Sequence, residues 1–364
     1  DRLNEPIETL QGDWTPEDEH SDADSMSLRA ALRTSSNRAA VRLLQEVGIP
    51  STVQYAKTLG VGDVPSVPSL ALGSGEVTLQ AMTAAYAAFA NKGRVPLPMV
   101  IRRVEDRDGR VLFTAEEQST QAVSEATAYL MAGMLADVIN AGTGARARAL
   151  GFALPAAGKT GTTNEYKDAW FVGFTPMLVT GVWVGFDEPH TIMPNGFASD
   201  IAVPMWASFM KGATRGNKPG WLSPPAGVTS ATVCRLSGLL ATEGCEHVEV
   251  IDDQGVRTTR SMIYSESFAK GTVPNQRCDL HPTRGFFGAV AAVFSGGDKP
   301  APPRLADTGA PATAPPAVAV PPPAVAEVAA PPPEQPKKRG FWGRLFGRRD
   351  KAEDDKSQQK GSTR

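Results

Sequence analysis

Residues 157–164 read Ala157-Gly158-Lys159-Thr160-Gly161-Thr162-Thr163-Asn164. A strand of small residues that presents one lysine and several hydroxyl groups is suited to binding a carboxylate-bearing substrate along a sheet edge. Lys159 supplies the positive charge, while Thr160 and Thr162 supply hydroxyl donors. Gly161 removes the side chain that would otherwise block the groove. The run therefore predicts a binding strand.

The run continues into a strongly patterned segment, and residues 159–176 read KTGTTNEYKDAWFVGFTP. Lys-Thr-Gly is a common tripeptide, but the longer run closely resembles the transpeptidase domain of class A penicillin-binding proteins. That family belongs with the serine β-lactamases, whose motifs follow the order Ser-x-x-Lys, Ser-x-Asn and Lys-Thr-Gly. The resemblance implies an α/β (α+β) fold of the serine β-lactamase and penicillin-binding-protein type, with an antiparallel sheet flanked by helices and a helical lobe.

A candidate for the second motif lies upstream at Thr34-Ser35-Ser36-Asn37, within a helical pattern that starts at Ser27 and ends at Gly48. Serine and asparagine at such a place can simply break or cap a helix, because their side chains compete for backbone hydrogen bonds. The resemblance favours the motif, since Ser35 precedes Lys159 in the family's order. The flanks at residues 30–32 and 39–44 also resemble those of the family's second motif.

The resemblance implies acyl transfer through a serine ester, in which a serine attacks the penultimate D-Ala carbonyl of a peptidoglycan stem peptide. D-Ala leaves, and an amine of a neighbouring stem peptide takes the acyl group. By motif position, Ser35 would relay protons, and Asn37 would hydrogen bond the substrate amide and the lysine of the nucleophile. Lys159 would supply positive potential, and Thr160 and Thr162 would hold the terminal carboxylate. The Thr162 backbone N–H would be one oxyanion donor. No metal ion or organic cofactor is required.

The first motif of the family, Ser-x-x-Lys, has no match before Ser35. Later matches begin at Ser208, Ser267 and Ser357, but all follow Lys-Thr-Gly, and we interpret them as chance. We therefore expect the sequence to be truncated after the nucleophile, without the family's glycosyltransferase domain and membrane anchor. We also expect that penicillin does not acylate the chain as printed. The four histidines show no Ser-His-Asp order, so a histidine triad is not predicted.

The expected whole is a bifunctional cell-wall synthase on the periplasmic face of the bacterial membrane, with a role in cell shape. Its implied partners are stem peptides ending in D-Ala-D-Ala and β-lactams. The balanced net charge of −2 gives no sign of nucleic-acid binding. A β-lactamase or D,D-carboxypeptidase of the same fold is one alternative, against which the run at residues 168–176 and the long C-terminal extension argue. A non-catalytic cell-wall scaffold is the other, because the nucleophile is absent.

The resemblance and the composition together divide the chain into four predicted parts. Residues 1–218 are a partial transpeptidase domain, and residues 219–294 are a small cysteine-containing extension. Residues 295–336 are rich in alanine and proline and predict a disordered linker. Residues 337–364 are a basic, aromatic tail. Its stretch from Lys337 to Arg349 interleaves cations with aromatic residues, which predicts contact with an anionic membrane surface or a partner, or else a solvated tail.

The cysteine-containing extension permits two interpretations. In an oxidising compartment, Cys234, Cys245 and Cys278 could form one disulfide and leave one thiol. The rival is a zinc site, in which His247 and His281 join Cys245 and Cys278 as a Cys₂His₂ set. We favour the disulfide, because Cys-x-His is tighter than the usual zinc spacing.

Hydrophobic periodicity and turn residues predict the remaining elements. Helices are predicted at residues 51–59, 79–90, 125–140 and 203–210, a hairpin at residues 100–113, and strands at residues 169–173 and 177–186. In the helix at residues 125–140, the predicted inward-facing side chains are Leu130, Met134, Leu135 and Val138.

Overall fold

The structure is a computed structural model that describes residues 3, 7–9, 12–18, 25–218, 220–252, 254–281 and 302–304. The chain divides into two compact units, residues 1–313 and 314–364, and the residues that the structure describes all lie in the first. The tail from Lys337 to Arg349 and, apart from residues 302–304, the predicted linker lie outside the described residues.

The described residues form helices and strands that we number in chain order. The α-helices are α1 Leu28–Thr34, α2 Asn37–Val47, α3 Ile49–Thr58, α4 Leu79–Ala90, α5 Glu125–Ala141, α6 Arg146–Ala149 and α7 Ala202–Ala213. The β-strands are β1 Ile7–Thr9, β2 Gly12–Trp14, β3 Arg94–Pro96, β4 Arg103–Glu105, β5 Val111–Thr114, β6 Ser119–Gln121, β7 Ala157–Thr162, β8 Ala169–Phe174, β9 Val179–Val184, β10 Val228–Cys234, β11 Val248–Ile251, β12 Arg257–Arg260 and β13 Ile263–Ala269.

The predicted break in the first helical pattern is confirmed between α1 and α2. The Ser27 side chain caps the start of α1, and Ser35 closes it in the left-handed region at φ 60°. Ser36 then caps α2 by accepting a hydrogen bond from the Ala39 backbone N–H. Two adjacent serines therefore end one helix and begin the next, and this leaves Ser35 at the turn between them.

The central sheet is antiparallel, with strand order β7-β8-β9. Its register places Lys159 opposite Val172. Successive side chains of a strand point to opposite faces, and the two phenylalanines of β8 follow that rule. Phe171 packs edge to face on Trp206 of α7, with ring centroids 5.1 Å apart, whereas Phe174 belongs to a cluster with α4 and α5 residues. The sheet thus has α7 on one face and α4 and α5 on the other.

One glycine of β9 lets α4 approach the sheet closely. A Cβ at Gly181 would lie 2.2 Å from the Thr83 hydroxyl oxygen and 2.8 Å from a methyl carbon of Leu79. Neither contact is possible unless the Thr83 and Leu79 side chains, or α4 itself, move away. The structure therefore has the predicted antiparallel sheet between helices.

The inward face of α5 differs in part from the prediction. Leu135 and Val138 are buried as predicted, but Leu130 and Met134 are half-buried. Fully buried Ala132 shares a cluster with β7 residue Ala157. Alanine on the contact face lets α5 pack closely against β7, so the larger side chains turn to the flanks of the helix.

The other predicted elements are found with shifts at their ends. The predicted helix at residues 79–90 is α4, and those at 51–59 and 203–210 are α3 and α7. The predicted hairpin is β4 paired with β5. Among the described residues, none of the helices combines the length and apolar character needed to cross a bilayer.

The segment that follows α7 contains two antiparallel strand pairs, β10 with β13 and β11 with β12. It is tied to the helices by Arg29, which donates two hydrogen bonds to Glu266 at 2.6 and 2.5 Å and one to Asp137 at 2.9 Å. Burial by itself raises the pKa of Glu266, but the hydrogen bond and charge of Arg29 bring that pKa below its ordinary value. The carboxylate is therefore held charged at the joint between α1 and β13.

The cysteines of this segment are arranged differently from both predictions. Cys234, Cys245 and Cys278 are buried and free, so the predicted disulfide is not formed. His247 is exposed and stands outside their cluster, so the predicted Cys₂His₂ set is wrong in that member. His281 does join the cysteines.

Candidate active site

The two predicted motifs meet through their key side chains. The Lys159 ammonium donates a hydrogen bond to the Ser35 hydroxyl oxygen at 2.7 Å, although the residues are 124 positions apart. Helix α5 packs against both α1 and β7, so it fixes the distance between the turn that carries Ser35 and the strand that carries Lys159. The arrangement joins a hydroxyl and an amine that can exchange a proton.

Burial changes the acidity of this lysine. Lys159 also donates to the Thr160 carbonyl oxygen at 3.0 Å, but its surroundings remove water from the charged form. Burial lowers the pKa of Lys159 to about 8. The amine is therefore mostly protonated at neutral pH and can still lose its proton at modest cost.

Thr143 is a site residue that the sequence interpretation missed. Its hydroxyl lies 2.6 Å from that of Thr160, and its backbone N–H donates to the Arg33 carbonyl oxygen at 3.3 Å. The neighbouring Gly142 fits tightly, because a Cβ there would lie 2.4 Å from the same carbonyl oxygen. The signal in the sequence was Gly142-Thr143-Gly144, which follows the predicted helix at residues 125–140. In the structure Thr143 bridges α1 and β7, because it hydrogen bonds to Arg33 of α1 and to Thr160 of β7.

The end of β7 is open to the cleft. Thr162 is exposed, and its hydroxyl oxygen accepts a hydrogen bond from the Ala198 backbone N–H at 3.0 Å. Because the hydroxyl is an acceptor there, its own proton remains to be donated. Within the part of the chain that the structure describes, β7 pairs with β8 alone, so its other edge is unpaired. Half-exposed Gly161 keeps that edge free of a side chain.

Asn37 lies at the start of α2 and lines the same cleft. Its side-chain amide donates to the Glu17 carbonyl oxygen at 2.8 Å. One amide N–H of Asn37 is therefore bound to the segment before α1. The other amide N–H and the amide oxygen can form hydrogen bonds with a substrate.

All six predicted site residues border one open cleft with a volume of about 2010 Å³. They are Ser35, Asn37, Lys159, Thr160, Gly161 and Thr162. Two tryptophans form part of the wall, and the Trp183 indole N–H donates to Asp168 at 2.8 Å. A cleft that combines polar groups with tryptophan side chains is suited to a peptide with a charged end.

The later Ser-x-x-Lys matches lie away from this cleft. Ser208 is exposed on α7, and the Lys211 ammonium donates to the Leu150 carbonyl oxygen at 3.1 Å. Ser267 is a residue of β13, and neither serine borders the cleft. Ser357 lies outside the described residues.

Comparison with known families identifies the family of this chain. Residues 4–190 match the family described as "Penicillin binding protein transpeptidase domain", and residues 224–283 match "Penicillin-binding protein 1A, C-terminal domain". The chain therefore belongs to the penicillin-binding protein transpeptidase family. The resemblance to class A penicillin-binding proteins and the fold expected from it are confirmed.

Individual relatives point the same way. Penicillin-binding protein 1A of Neisseria gonorrhoeae is 38% identical over 226 residues, which cover 60% of this chain and 28% of the relative. The protein of that name from Aquifex aeolicus is 36% identical over 277 residues, which cover 75% of this chain and 35% of the relative. The chain thus spans about a third of the length of these relatives.

Solved structures of related proteins share the fold. Penicillin-binding protein 1A from Haemophilus influenzae superposes with a TM-score of 0.66 at 27% identity, over 76% of this chain and 45% of that chain. PonA1 from Mycobacterium tuberculosis in complex with penicillin V superposes with a TM-score of 0.51 at 26% identity, over 61% of this chain and 64% of that chain.

Proposed function

We propose that this chain supplies the substrate-binding and proton-relay part of a D,D-transpeptidase site that cross-links peptidoglycan stem peptides. The observation that carries the proposal is the 2.7 Å hydrogen bond from Lys159 to Ser35, which joins the second and third family motifs in one cleft. Chance occurrences of the two tripeptides would not be expected to meet there.

Proton movement is assigned to the pair of Ser35 and Lys159. A serine nucleophile must lose a proton as it attacks, and the leaving amine must gain one. Ser35 lies at a turn, and its hydroxyl oxygen accepts a hydrogen bond from the Lys159 amine. The lowered pKa of Lys159 suits proton transfer near neutral pH. Asn37 contributes an amide that can bind the backbone of the stem peptide.

Substrate binding is assigned to the free edge of β7. An extended peptide can add to that edge as a further strand, with the backbone N–H of Thr162 as one oxyanion donor. The hydroxyl protons of Thr160 and Thr162 and the charge of Lys159 would hold the terminal carboxylate. Thr143 positions Thr160 through its hydroxyl, so we include it as a positioning residue.

The nucleophile belongs to a segment outside the printed sequence in this proposal. The family's order requires Ser-x-x-Lys before Ser35, and the printed residues before Ser35 contain none. That segment would also supply the second oxyanion donor through the backbone N–H of the serine. The chain by itself is then not acylated by penicillin.

Substrate and location follow from the family. Stem peptides ending in D-Ala-D-Ala are the proposed substrate, and β-lactams are inhibitors that mimic them. Support comes from the names of the relatives and from the solved complex of PonA1 with penicillin V. Such a synthase works on the periplasmic face of the membrane, held there by a segment of the longer protein.

Covalent labelling with a fluorescent penicillin tests the proposal. The 364-residue chain is compared with a longer protein in which the natural upstream residues, including Ser-x-x-Lys, precede Asp1. Label is expected on the longer protein and absent from the chain. Ser208→Ala and Ser267→Ala in the longer protein serve as matched controls and should label normally.

Other outcomes identify the alternatives. Stoichiometric label on the printed chain, mapped by mass spectrometry, would contradict the assignment of the nucleophile. A longer protein that releases hydrolysed penicillin rapidly would be a β-lactamase. A longer protein that contains Ser-x-x-Lys, folds, and is still not labelled would support the alternative of a non-catalytic cell-wall scaffold.

A further inference from the structure

Four potential metal ligands converge in the C-terminal segment. The sulfur atoms of Cys234, Cys245 and Cys278 and a ring nitrogen of His281 all lie within 4.8 Å of one another. His281 Nδ1 is 3.4 Å from the Cys234 sulfur and 3.4 Å from the Cys278 sulfur. A tetrahedral zinc ion with ordinary bond lengths places its sulfur and nitrogen ligands roughly 3.5 to 3.8 Å apart. The cluster is therefore close to the size that zinc requires.

The ligands come from three separate parts of the segment that backbone hydrogen bonds hold together. Cys234 is the last residue of β10, and Cys245 lies in a short 3-10 turn. The Cys278 N–H donates to the Leu240 carbonyl oxygen at 2.8 Å, and the Met262 N–H donates to the Cys245 carbonyl oxygen at 2.8 Å. The cluster thus brings together the end of β10, the 3-10 turn that contains Cys245 and the residues around Cys278.

Backbone groups around the sulfurs are suited to thiolate ligands. The backbone of Leu236 and Ser237 hydrogen bonds to the Cys234 sulfur. The Thr242 N–H donates to the Cys245 sulfur at 3.5 Å. Such contacts stabilise and orient sulfur ligands around a metal ion.

We propose that Cys234, Cys245, Cys278 and His281 bind one structural zinc ion. Buried cysteines often pack as small apolar residues, but here an imidazole nitrogen faces the same point as the three sulfurs. A disulfide would use two of the thiols and leave the third thiol with His281. One zinc ion uses all four groups, and its four protein ligands leave no position open for catalysis.

The surrounding core explains what the ion would do. The cluster packs with Val248, Val250 and Met262, so few large side chains are available to stabilise this segment. Small folds with little core commonly depend on a metal ion or a disulfide. Zinc binding would add its binding free energy to folding, since the site does not exist in the unfolded chain.

Zinc analysis of the purified 364-residue chain tests the proposal. The chain, prepared without chelators, is expected to hold about one zinc ion, and chelation should lower its thermal unfolding midpoint. Cys278→Ser and His281→Ala should each lose the zinc. The matched control is His247→Ala, which removes an exposed histidine next to the cluster and should keep the full zinc content.

A second measurement covers variants that fail to fold. Cobalt added to the metal-free wild-type chain should give the visible absorption of tetrahedral cobalt together with a thiolate charge-transfer band. Two results would overturn the proposal. One is a wild-type chain without zinc in which mass spectrometry maps a disulfide between two of the cysteines. The other is a folded chain that takes up neither zinc nor cobalt although three free thiols are counted after denaturation.

Discussion

The cleft around Lys159 and the cysteine cluster around Cys245 are both built from residues that are distant in sequence, but they differ in their exposure to solvent. In the cleft, half-buried Lys159, Thr160 and Gly161 and exposed Thr162 lie along an unpaired strand edge. In the cluster, the three cysteines are buried, and the fourth group, His281, faces them. The cleft keeps polar groups available to a ligand that arrives, whereas the cluster encloses its groups. Changes in the cleft should therefore affect chemistry more than stability, and changes that reach the C-terminal segment should do the reverse.

The largest expected effect is on chemistry in the cleft. In the longer protein that carries Ser-x-x-Lys, Lys159→Ala should reduce the rate of penicillin acylation by about 10²- to 10⁴-fold, because it removes a proton-transfer group. Stopped-flow or gel-based labelling measures the rate. Lys57→Ala removes an exposed lysine of α3 and should label at the normal rate. An unchanged rate in Lys159→Ala would place the proton relay elsewhere.

The joint between the two regions should affect stability. Arg29→Met leaves half-buried Glu266 and half-buried Asp137 without their partner, which should lower the free energy of unfolding by about 2 to 3 kcal/mol. Chemical denaturation of the 364-residue chain measures it. The control Arg102→Met breaks an exposed ion pair with Glu117 and should cost less than about 0.5 kcal/mol. Equal costs for the two variants would mean that α1 does not stabilise the C-terminal segment.

The pKa of Lys159 gives the cleft a pH-dependent stability. The folded pKa of about 8 lies below the ordinary value of 10.5, so between these values the unfolded chain binds more protons than the folded chain. Burial of the charged amine therefore destabilises the fold below pH 8, and this cost is relieved as the pH rises. The free energy of unfolding should gain about 2 kcal/mol between pH 8 and pH 10 relative to Lys159→Met. Parallel pH profiles for wild type and variant would exclude a lowered pKa.

Two glycine substitutions should distinguish the tight turn of the cleft from an open helix surface. Gly142→Ala places a Cβ against the Arg33 carbonyl oxygen and should destabilise the chain by about 1 to 3 kcal/mol. The control Gly212→Ala lies in α7 with nothing within 4 Å of the added Cβ, and it should stabilise by about 0.5 to 1 kcal/mol. Thermal unfolding measures the change in stability for both variants. A Gly142→Ala variant as stable as the wild type would show that Thr143 is not rigidly placed.

Local patterns in the sequence predicted much of the fold. The bounds of α4, the break at Ser35 and Ser36, and the two strands after β7 follow from periodicity and capping, which depend on neighbouring residues. The prediction of the inward face of α5 was partly wrong, because that face is determined by the close packing of Ala132 against β7. The hydrophobic period of a sequence does not show how closely two elements approach each other.

The sequence by itself determined the family and predicted six site residues, since motif order and residue type are properties of the chain. The tertiary structure alone decided that Lys159 bonds to Ser35, that Thr143 joins the site, and that Cys234 rather than His247 joins the cysteine cluster. Each of these contacts connects segments that are distant along the chain. Their distances are set by the packing of α5 against α1 and β7 and by the pairing of strands after α7, and local sequence patterns do not specify such long-range packing.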